Sequence, residues 1–268
     1  MPDEKVVVVT GASGGIGAAL ARELGAAGRT VVLAARRGAE LRAVAAEVEA
    51  RGGPATLVVE TDVTRRASVN DLRDAAIARF GHVDAWVNNA GRGITRSVLD
   101  LTDADVDEVM AINVKSALYG MQAIVPHFMQ RNAGHVINVS SFLGRVPIAA
   151  VRSVYSAAKA ALNSLTANLR TDLAASHPGI HVSLVMPGLV ATEFARNALG
   201  GLPAGAARAS VPPGAMQAQT AEEVAVMIAR LLDEPRAELY TNPASAELAR
   251  RYFADVEAFE AGWGAPRA

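Results

Sequence analysis

The sequence predicts one α/β domain in which a doubly wound parallel sheet carries helices on both faces. Three observations support this fold class. Apolar, β-branched segments alternate with segments of helical period along most of the 268 residues. The first such segment, at 6–9, is uninterrupted valine, as in strands that are buried on both faces. No internal repeat or linker composition breaks the alternation, so a single domain is expected over 1–242, followed by a tail at 243–268.

The predicted elements follow one another in order along the chain. Each predicted strand is a short run rich in apolar or β-branched residues, and these runs lie at 6–9, 30–35, 55–60, 83–89, 135–140, 181–187 and 237–242. Each predicted helix repeats apolar side chains every three or four residues, as the first does at Ile16, Leu20 and Leu24. The predicted helices lie at 16–27, 40–51, 67–80, 103–130 and 154–176.

Two regions depart from the alternation. Segment 189–219 is rich in Ala, Gly and Pro and has no clear period, which indicates a substrate lid. The tail predicts a helix that packs on the same domain or on a neighbouring subunit, because one helical face would carry Leu248, Tyr252, Val256 and Phe259.

Composition excludes several classes of protein. A formal net charge of -1 argues against nucleic acid or an anionic membrane as the main partner. The absence of cysteine excludes disulfides and a thiolate nucleophile, and no metal site is predicted. The chain enters its first strand after a few charged residues, and no apolar run reaches the length of a membrane span. A cytoplasmic protein is therefore expected.

A glycine turn, "VTGASGGIG" at 9–17, joins the first predicted strand to the first predicted helix. Glycine weakens regular elements, so four of them here indicate a sharp turn or a close backbone approach. Such a turn directs the free N–H groups and the partial positive charge of the helix N-terminus toward an adjacent ligand. A phosphate group is the expected occupant, although a tight turn without a ligand has the same composition.

A second group of residues predicts acid–base chemistry. Tyr155 and Lys159 lie four residues apart on one face of a predicted helix, so the ammonium is expected to lower the pKa of the phenol. Ser140 and Ser141 close a strand at the edge where doubly wound sheets bind ligands. Asn113, inside an apolar helical stretch, needs a polar partner such as water. Each also has a purely structural interpretation.

Taken together, these stretches resemble the short-chain dehydrogenase/reductase family over about residues 5–240. The motifs that carry the resemblance are "TGASGGIG", "NNAG", "INVSS", "YSAAK" and "MPGLVATEF", in the expected order. The resemblance implies a Rossmann fold and a tetrad. Tyr155 would exchange the proton with the substrate oxygen, Ser141 would hold that oxygen, Lys159 would lower the tyrosine pKa and bind the nicotinamide ribose, and Asn113 would fix a water that relays protons.

The resemblance also implies a nicotinamide cofactor. The end of the second strand holds Ala35, Arg36 and Arg37, where a carboxylate would favour NAD, so the NADP-preferring branch is expected. Asp62 would receive the adenine amino group and Ser13 could reach the 2'-phosphate. The full implied set is Gly11, Ser13, Gly15, Ile16, Gly17, Arg36, Arg37, Asp62, Val63, Asn89, Ala90, Gly91, Tyr155, Lys159, Pro187, Gly188, Val190 and Thr192.

The expected function is NADP(H)-dependent interconversion of a hydrophobic ketone or aldehyde and its alcohol, with a homodimer or homotetramer as the assembly. The residues expected to contact the substrate are mostly apolar, and they are Gly93, Ile94, Phe142, Leu143, Met186, Leu189 and Phe194. Arg92, Arg145 and Arg152 keep a carboxylated or acyl-thioester substrate open. The alternatives are a reductase of 3-oxoacyl thioesters and a catalytically silent nucleotide sensor.

Overall fold

The computed structural model describes residues 5–201 and 217–264. Their strands form one seven-stranded parallel sheet in the order β3-β2-β1-β4-β5-β6-β7. The strands are β1 Val6–Thr10, β2 Thr30–Ala35, β3 Thr56–Glu60, β4 Ala85–Asn88, β5 Gly134–Val139, β6 Ile180–Met186 and β7 Glu238–Tyr240. The helices are α1 Gly15–Ala26, α2 Gly38–Ala50, α3 Arg66–Phe80, α4 Asp103–Met110, α5 Ser116–Arg131, α6 Ser153–Ala174, α7 Ala221–Arg230, α8 Pro243–Ala254 and α9 Val256–Gly264.

The strand order reverses at the centre of the sheet. From β1 the chain adds β2 and β3 on one side, then returns to place β4 on the other side of β1. Open sheets of this kind bind ligands where the order reverses, beyond the carboxyl ends of the strands. The predicted fold class is thereby confirmed, and the crevice between β1 and β4 is the expected ligand position.

Successive residues of β1 point to opposite faces of the sheet. Because β1 is apolar on both faces, helices cover both. Val7 and Val9 belong to a buried cluster that also contains residues of α1, α2 and α7. Val6 and Val8 belong to a second cluster, which contains residues of α3 and α5. The uninterrupted valine run therefore supplies both cores.

A buried polar network crosses the second core. Trp86 Nε1 donates to Asn88 Oδ1 at 2.8 Å, and Asn88 Nδ2 donates to Asn138 Oδ1 at 2.8 Å. Asn138 Nδ2 in turn donates to Thr166 Oγ1 at 2.9 Å. These bonds join β4 and β5 to α6, and each amide would be costly to bury without a partner. The network therefore holds α6 in a defined position against the sheet.

The predicted helix at 103–130 contains a change of helical type. Its middle, Ala111–Lys115, is a π-helical turn between α4 and α5, and the Ser116 amide donates to the Ala111 carbonyl. A π turn inserts one extra residue into a helix and often occurs at functional sites. Asn113 lies within this turn and is almost fully buried.

The predicted lid begins and ends as paired backbone. Val190 forms a parallel bridge with Gln219, and the Ala191 amide donates to the Gln219 carbonyl at 2.9 Å. Leu199 forms a further bridge with Ile94. Residues 202–216, the middle of this segment, lie outside the described residues.

The tail contains two helices where one was predicted. α8 ends before Asp255, whose carboxylate accepts a hydrogen bond from the Ala258 amide at 2.9 Å and so starts α9. Leu248 and Phe259 are buried together with Phe142, but Val256 is 42% exposed. The prediction of a single apolar face was therefore wrong at Val256, because the break after α8 turns that side chain away from the buried cluster. Within 5–201 and 217–264, no helix combines the length and hydropathy of a membrane-crossing segment.

Acid should destabilise the fold through His135. Its side chain is buried at the start of β5, where Nε2 lies 2.7 Å from Ser183 Oγ. Burial lowers the pKa of His135 to about 3, so the unfolded chain takes up a proton below pH 6.5 that the folded chain does not. We expect the free energy of unfolding to fall by about 2 kcal/mol between pH 6.5 and pH 5 from this residue alone.

Urea unfolding at pH 7 and pH 5 measures this effect. His135→Gln cannot titrate and should show a smaller loss of stability than the wild type. His177→Gln is the matched control, because His177 contacts Ser176 in an exposed position. Equal losses in the wild type and in His135→Gln would contradict the prediction.

Candidate active site

The candidate site lies at the carboxyl edge of the sheet, where α6 begins. Tyr155 and Lys159 project from one face of α6 and are both buried, at 7% and 3% exposed. Ser140 and Ser141 follow β5, and the glycine turn follows β1. Three segments of the chain therefore meet at one edge of the sheet.

Tyr155 is enclosed by an aromatic ring from the lid. The Phe194 ring centroid lies 5.5 Å from that of Tyr155. Burial raises the pKa of Tyr155 to about 12, while a hydrogen bond with Ser141 and the charge of Arg152 oppose this rise. The phenol is thus protonated at neutral pH. The expected lowering of this pKa by Lys159 is not seen, because burial outweighs the opposing effects.

Lys159 lies under the site and contacts the end of β5. Its Nζ donates to the Val139 carbonyl at 3.0 Å and lies 5.7 Å from the Tyr155 ring centroid. Burial lowers the pKa of Lys159 to about 8. A methyl group on Gly91 would lie 3.5 Å from Nζ and 2.8 Å from Asn113 Oδ1. The "NNAG" loop therefore lies between the lysine and the asparagine.

Asn113 finds its predicted polar partners in the protein backbone. Its Nδ2 donates to the Arg92 carbonyl at 2.9 Å and to the Val109 carbonyl at 3.0 Å, and its Oδ1 accepts from the Arg92 amide at 3.2 Å. The side chain thus ties the π turn to the loop after β4. These bonds explain a buried amide at this position without reference to a water.

The two neighbouring serines have different surroundings. Ser140 Oγ donates to Asn163 Oδ1 at 2.5 Å and faces the interior between β5 and α6. Ser141 Oγ accepts from the Leu143 amide at 3.2 Å and acts to lower the pKa of Tyr155. Of the two serines, Ser141 is therefore the one whose hydroxyl group lies beside the Tyr155 phenol. Asn163, which sequence reasoning missed, also donates to the Gly144 carbonyl at 3.0 Å and joins α6 to the loop after Ser141.

The glycine turn is shaped by contacts within the protein. A methyl group on Gly17 would lie 2.4 Å from the Gly11 carbonyl oxygen, so α1 packs directly on the turn. Gly11 has φ +68 and faces the Ala90 backbone, where a Cβ would lie 2.9 Å from the Ala90 Cα. These two glycines are thus required for packing, whereas the predicted close approach of a phosphate concerns the free side of the turn.

That free side suits an anion. α1 begins without a side-chain cap and without an acidic residue in its first turn, so its N-terminal positive potential is not neutralised locally. Thr192 lies beside the turn, with its Cβ 3.6 Å from the position of a Cβ on Gly15. Asn89 Nδ2 donates to the Thr10 carbonyl at 2.9 Å, which joins the "NNAG" loop to β1. The residues present therefore fit the pyrophosphate of a dinucleotide.

The end of β2 carries a positive charge beside the turn. Arg37 Nη2 donates to Ser13 Oγ at 3.1 Å and to the Ser13 carbonyl at 3.2 Å. Arg36 is exposed, and its charge helps to lower the pKa of Asp62, for which hydrogen bonds from Thr64 are the main cause. The two arginines predicted as phosphate ligands and the predicted adenine ligand therefore share one region.

The remaining predicted cofactor residues are distributed around the same edge. Ile16 and Val190 are partly buried against the first core, and Val63 is buried in the second. The Pro187 carbonyl accepts a hydrogen bond from the Phe142 amide at 2.8 Å. Gly188 follows this proline at the start of the lid.

The predicted substrate residues divide into two groups. Leu143, Leu189 and Phe194 keep exposed surface, whereas Gly93 is buried and contacts Phe194 directly. Ile94, Phe142 and Met186 are almost completely buried, which differs from the expectation that they line a pocket. Phe142 packs against the tail, in a cluster separate from that of Tyr155. Apolar residues near strand ends serve cores as readily as pockets, and only packing distinguishes the two.

Comparison with known proteins identifies relatives of this chain. The sequence profile described as short chain dehydrogenase matches residues 5–200. An uncharacterized oxidoreductase of Staphylococcus epidermidis is 37% identical over 191 residues, which cover 71% of this chain and 80% of that protein. Among the described residues, no cluster of His, Asp or Glu could hold a metal ion.

Solved structures of related proteins superpose over nearly the whole chain. A short-chain dehydrogenase/reductase from Burkholderia phymatum in complex with NAD has a TM-score of 0.84 at 28% identity, covering 99% of this chain and 98% of that one. An alcohol dehydrogenase from Thermococcus sibiricus with 5-hydroxy-NADP has a TM-score of 0.76 at 25% identity, covering 90% and 97%. The fold and site define a class of α/β oxidoreductases. Within that class, the chain belongs to the short-chain dehydrogenase/reductase family.

Proposed function

We propose that this protein interconverts a hydrophobic ketone or aldehyde and its alcohol by NADP(H)-dependent hydride transfer, with Tyr155 as general acid and base. One observation carries the proposal. Ser141, Tyr155 and Lys159 lie together at the strand edge that also holds the uncapped glycine turn. A proton donor and a dinucleotide site thus border the same crevice.

The bound cofactor would supply the hydride, and the side chains would handle the proton and the oxygen. Tyr155 Oη would donate a proton to the carbonyl oxygen, and the Ser141 hydroxyl would hold that oxygen by a hydrogen bond. Because the pKa of Tyr155 is about 12, the phenol carries its proton at neutral pH, as a proton donor to a carbonyl oxygen must. Lys159 is mainly cationic below pH 8, so it would stabilise the phenolate that remains. Asn113 would hold the loop that borders Lys159.

A preference for NADP is supported by charge at the end of β2. β2 ends at Ala35. A carboxylate at this position would favour the ribose hydroxyl of NAD, and alanine supplies none. Arg37 lies against Ser13, where its guanidinium and the serine hydroxyl could both bond to a 2'-phosphate. Solved relatives include complexes with NAD and with an NADP derivative, so the preference must be tested in this chain.

Arg36→Asp should reverse the cofactor preference. The wild type should favour NADPH by about 2 kcal/mol, roughly 30-fold in kcat/KM, as charge-assisted bonds to a phosphate provide. The new carboxylate should repel a 2'-phosphate and accept a ribose hydroxyl. Steady-state kinetics with both cofactors measure the ratio. Arg42→Asp is the control, because Arg42 pairs with Glu60 and should retain the wild-type ratio. Equal efficiency with both cofactors in the wild type would refute the preference.

A carbonyl screen tests the proposed function itself. Purified protein is incubated with NADPH or NADH and a panel of aryl, steroidal and lipid-derived ketones and aldehydes, and cofactor oxidation is followed by absorbance. We expect oxidation that depends on the ketone and disappears in Tyr155→Phe. Binding of the cofactor without turnover of any carbonyl or alcohol would favour the nucleotide-sensor alternative. Turnover restricted to 3-oxoacyl thioesters would favour the thioester alternative.

A further inference from the structure

The three arginines near the candidate site differ in their partners. Arg92 Nη1 pairs with Glu108 at 2.5 Å, and Arg145 Nη2 pairs with Glu238 at 2.6 Å. Arg152 has no acidic partner among residues 5–201 and 217–264. Its one described side-chain bond runs from Nη1 to the Ile94 carbonyl at 3.0 Å. The guanidinium therefore keeps most of its N–H groups and its whole charge for another acceptor.

Arg152 borders the same space as the Tyr155 phenol. It is half-buried and lies one helical turn before Tyr155, at the N-cap of α6. A methyl group on Gly93 would lie 3.0 Å from Arg152 Nη1 and 2.9 Å from Phe194 Cε1. The Phe194 ring in turn packs on the Tyr155 ring. The guanidinium and the lid phenylalanine thus meet at Gly93, and the phenylalanine joins them to the phenol.

The backbone before Arg152 is strained. Val151 has φ +58, a left-handed conformation that is costly for a β-branched residue. The Arg96 amide holds it by donating to the Val151 carbonyl at 2.9 Å, and Ser153 Oγ donates to the Arg96 carbonyl at 3.0 Å. Strain that is maintained by neighbouring contacts is typical of functional sites. Here it places the guanidinium beside the phenol instead of in solvent.

We propose that Arg152 binds a carboxylate of the substrate, so that the natural substrate is an oxo acid or hydroxy acid with an apolar body. This inference rests on the proposed function and narrows its substrate class. A guanidinium presents parallel N–H groups that match the two oxygens of a carboxylate. Partial burial strengthens this attraction, and Phe194 and Leu143, which pack beside Tyr155, suit the apolar body.

The competing explanation is that Arg152 acts only through Tyr155. Its charge opposes the rise in the pKa of the phenol, so it could assist proton transfer for every substrate alike. The two explanations differ in what they predict for substrates with and without a carboxylate. A carboxylate ligand discriminates between an acid and its ester, whereas an effect through Tyr155 does not.

Paired substrates distinguish the two. The probes are benzoylformate, benzoylacetate and benzoylpropionate, each beside its methyl ester. The ratio of kcat/KM for the acid to kcat/KM for the ester is measured in one preparation, so a loss of folded protein cancels. For at least one pair the wild type should favour the acid, and Arg152→Gln should lower the ratio about tenfold or more, mainly through KM. Arg152→Lys, which keeps the charge, should restore part of it.

Arg145→Gln is the matched control, since Glu238 already neutralises Arg145, and it should leave the ratio unchanged. The proposal is overturned if the wild type never favours an acid. It is also overturned if Arg152→Gln lowers both rates equally and raises the pKa of the pH–rate profile. In either case, reduction of the esters would leave the proposed function intact. Failure to reduce any ketone, here or in the carbonyl screen, would overturn both.

Discussion

Tyr155→Phe is expected to lower turnover by about 100-fold or more, the usual contribution of a positioned general acid. The substitution removes only the hydroxyl, so the buried ring keeps its contact with Phe194 and the fold is retained. Cofactor affinity should change little. Single-turnover kinetics measure the hydride-transfer step, and fluorescence titration with NADPH measures binding.

Tyr119→Phe provides the control for this experiment, because Tyr119 lies under Arg66 on α5 and not at the site. It should retain wild-type kinetics. The wild-type protein without cofactor should also show no tyrosinate absorbance from Tyr155 at pH 9, given its pKa of about 12. Near-normal turnover in Tyr155→Phe would exclude Tyr155 as the acid.

Lys159→Met is expected to abolish most activity and yet to stabilise the fold. Lys159 is 3% exposed and has no acidic partner among the described residues, so the folded state disfavours its charge. A fall in its pKa from 10.5 to about 8 corresponds to roughly 3 kcal/mol of lost stability at neutral pH. Loss of the bond to the Val139 carbonyl should cost about 1 kcal/mol, which leaves a net gain of about 2 kcal/mol.

The sign of this effect depends on pH. Because the folded pKa lies below the unfolded value, the penalty is complete below pH 8 and disappears as the pH rises to 10.5. The advantage of Lys159→Met in urea unfolding should therefore be present at pH 7 and much smaller at pH 10. Arg170→Met is the comparison, because Arg170 also lies on α6 but is partly exposed and has an acidic partner in Glu238. A variant less stable than the wild type at pH 7 would show that burial of this lysine carries no such cost.

These two residues show a conflict between stability and function at the site. A buried ammonium and a buried phenol both carry desolvation costs that a core of apolar residues would avoid. Their retention together at the strand edge, beside the glycine turn, is what the proposed chemistry requires. The buried network from Trp86 through Asn138 to Thr166 offsets part of this cost by positioning α6.

The sequence by itself determined the fold and the approximate location of the site, because both follow from local patterns. Valine runs of strand length predicted buried parallel strands, and the four-residue spacing of Tyr155 and Lys159 placed both on one face of α6. The glycine turn predicted the strand–turn–helix unit that the structure contains. Periodicity and backbone preference are properties of neighbouring residues, so the chain can be interpreted without tertiary contacts.

Only the tertiary structure decided the properties that depend on residues far apart in the sequence. The pKa of Tyr155 rises because burial, to which Phe194 from the lid contributes, outweighs the lowering effects of Ser141 and Arg152. The break at Asp255 removed Val256 from the apolar face of the tail. In the sequence, Arg92, Arg145 and Arg152 are equivalent candidates. In the structure, Arg152 is the one of these three without a described acidic partner. Burial and charge pairing are set by packing, which local pattern does not encode.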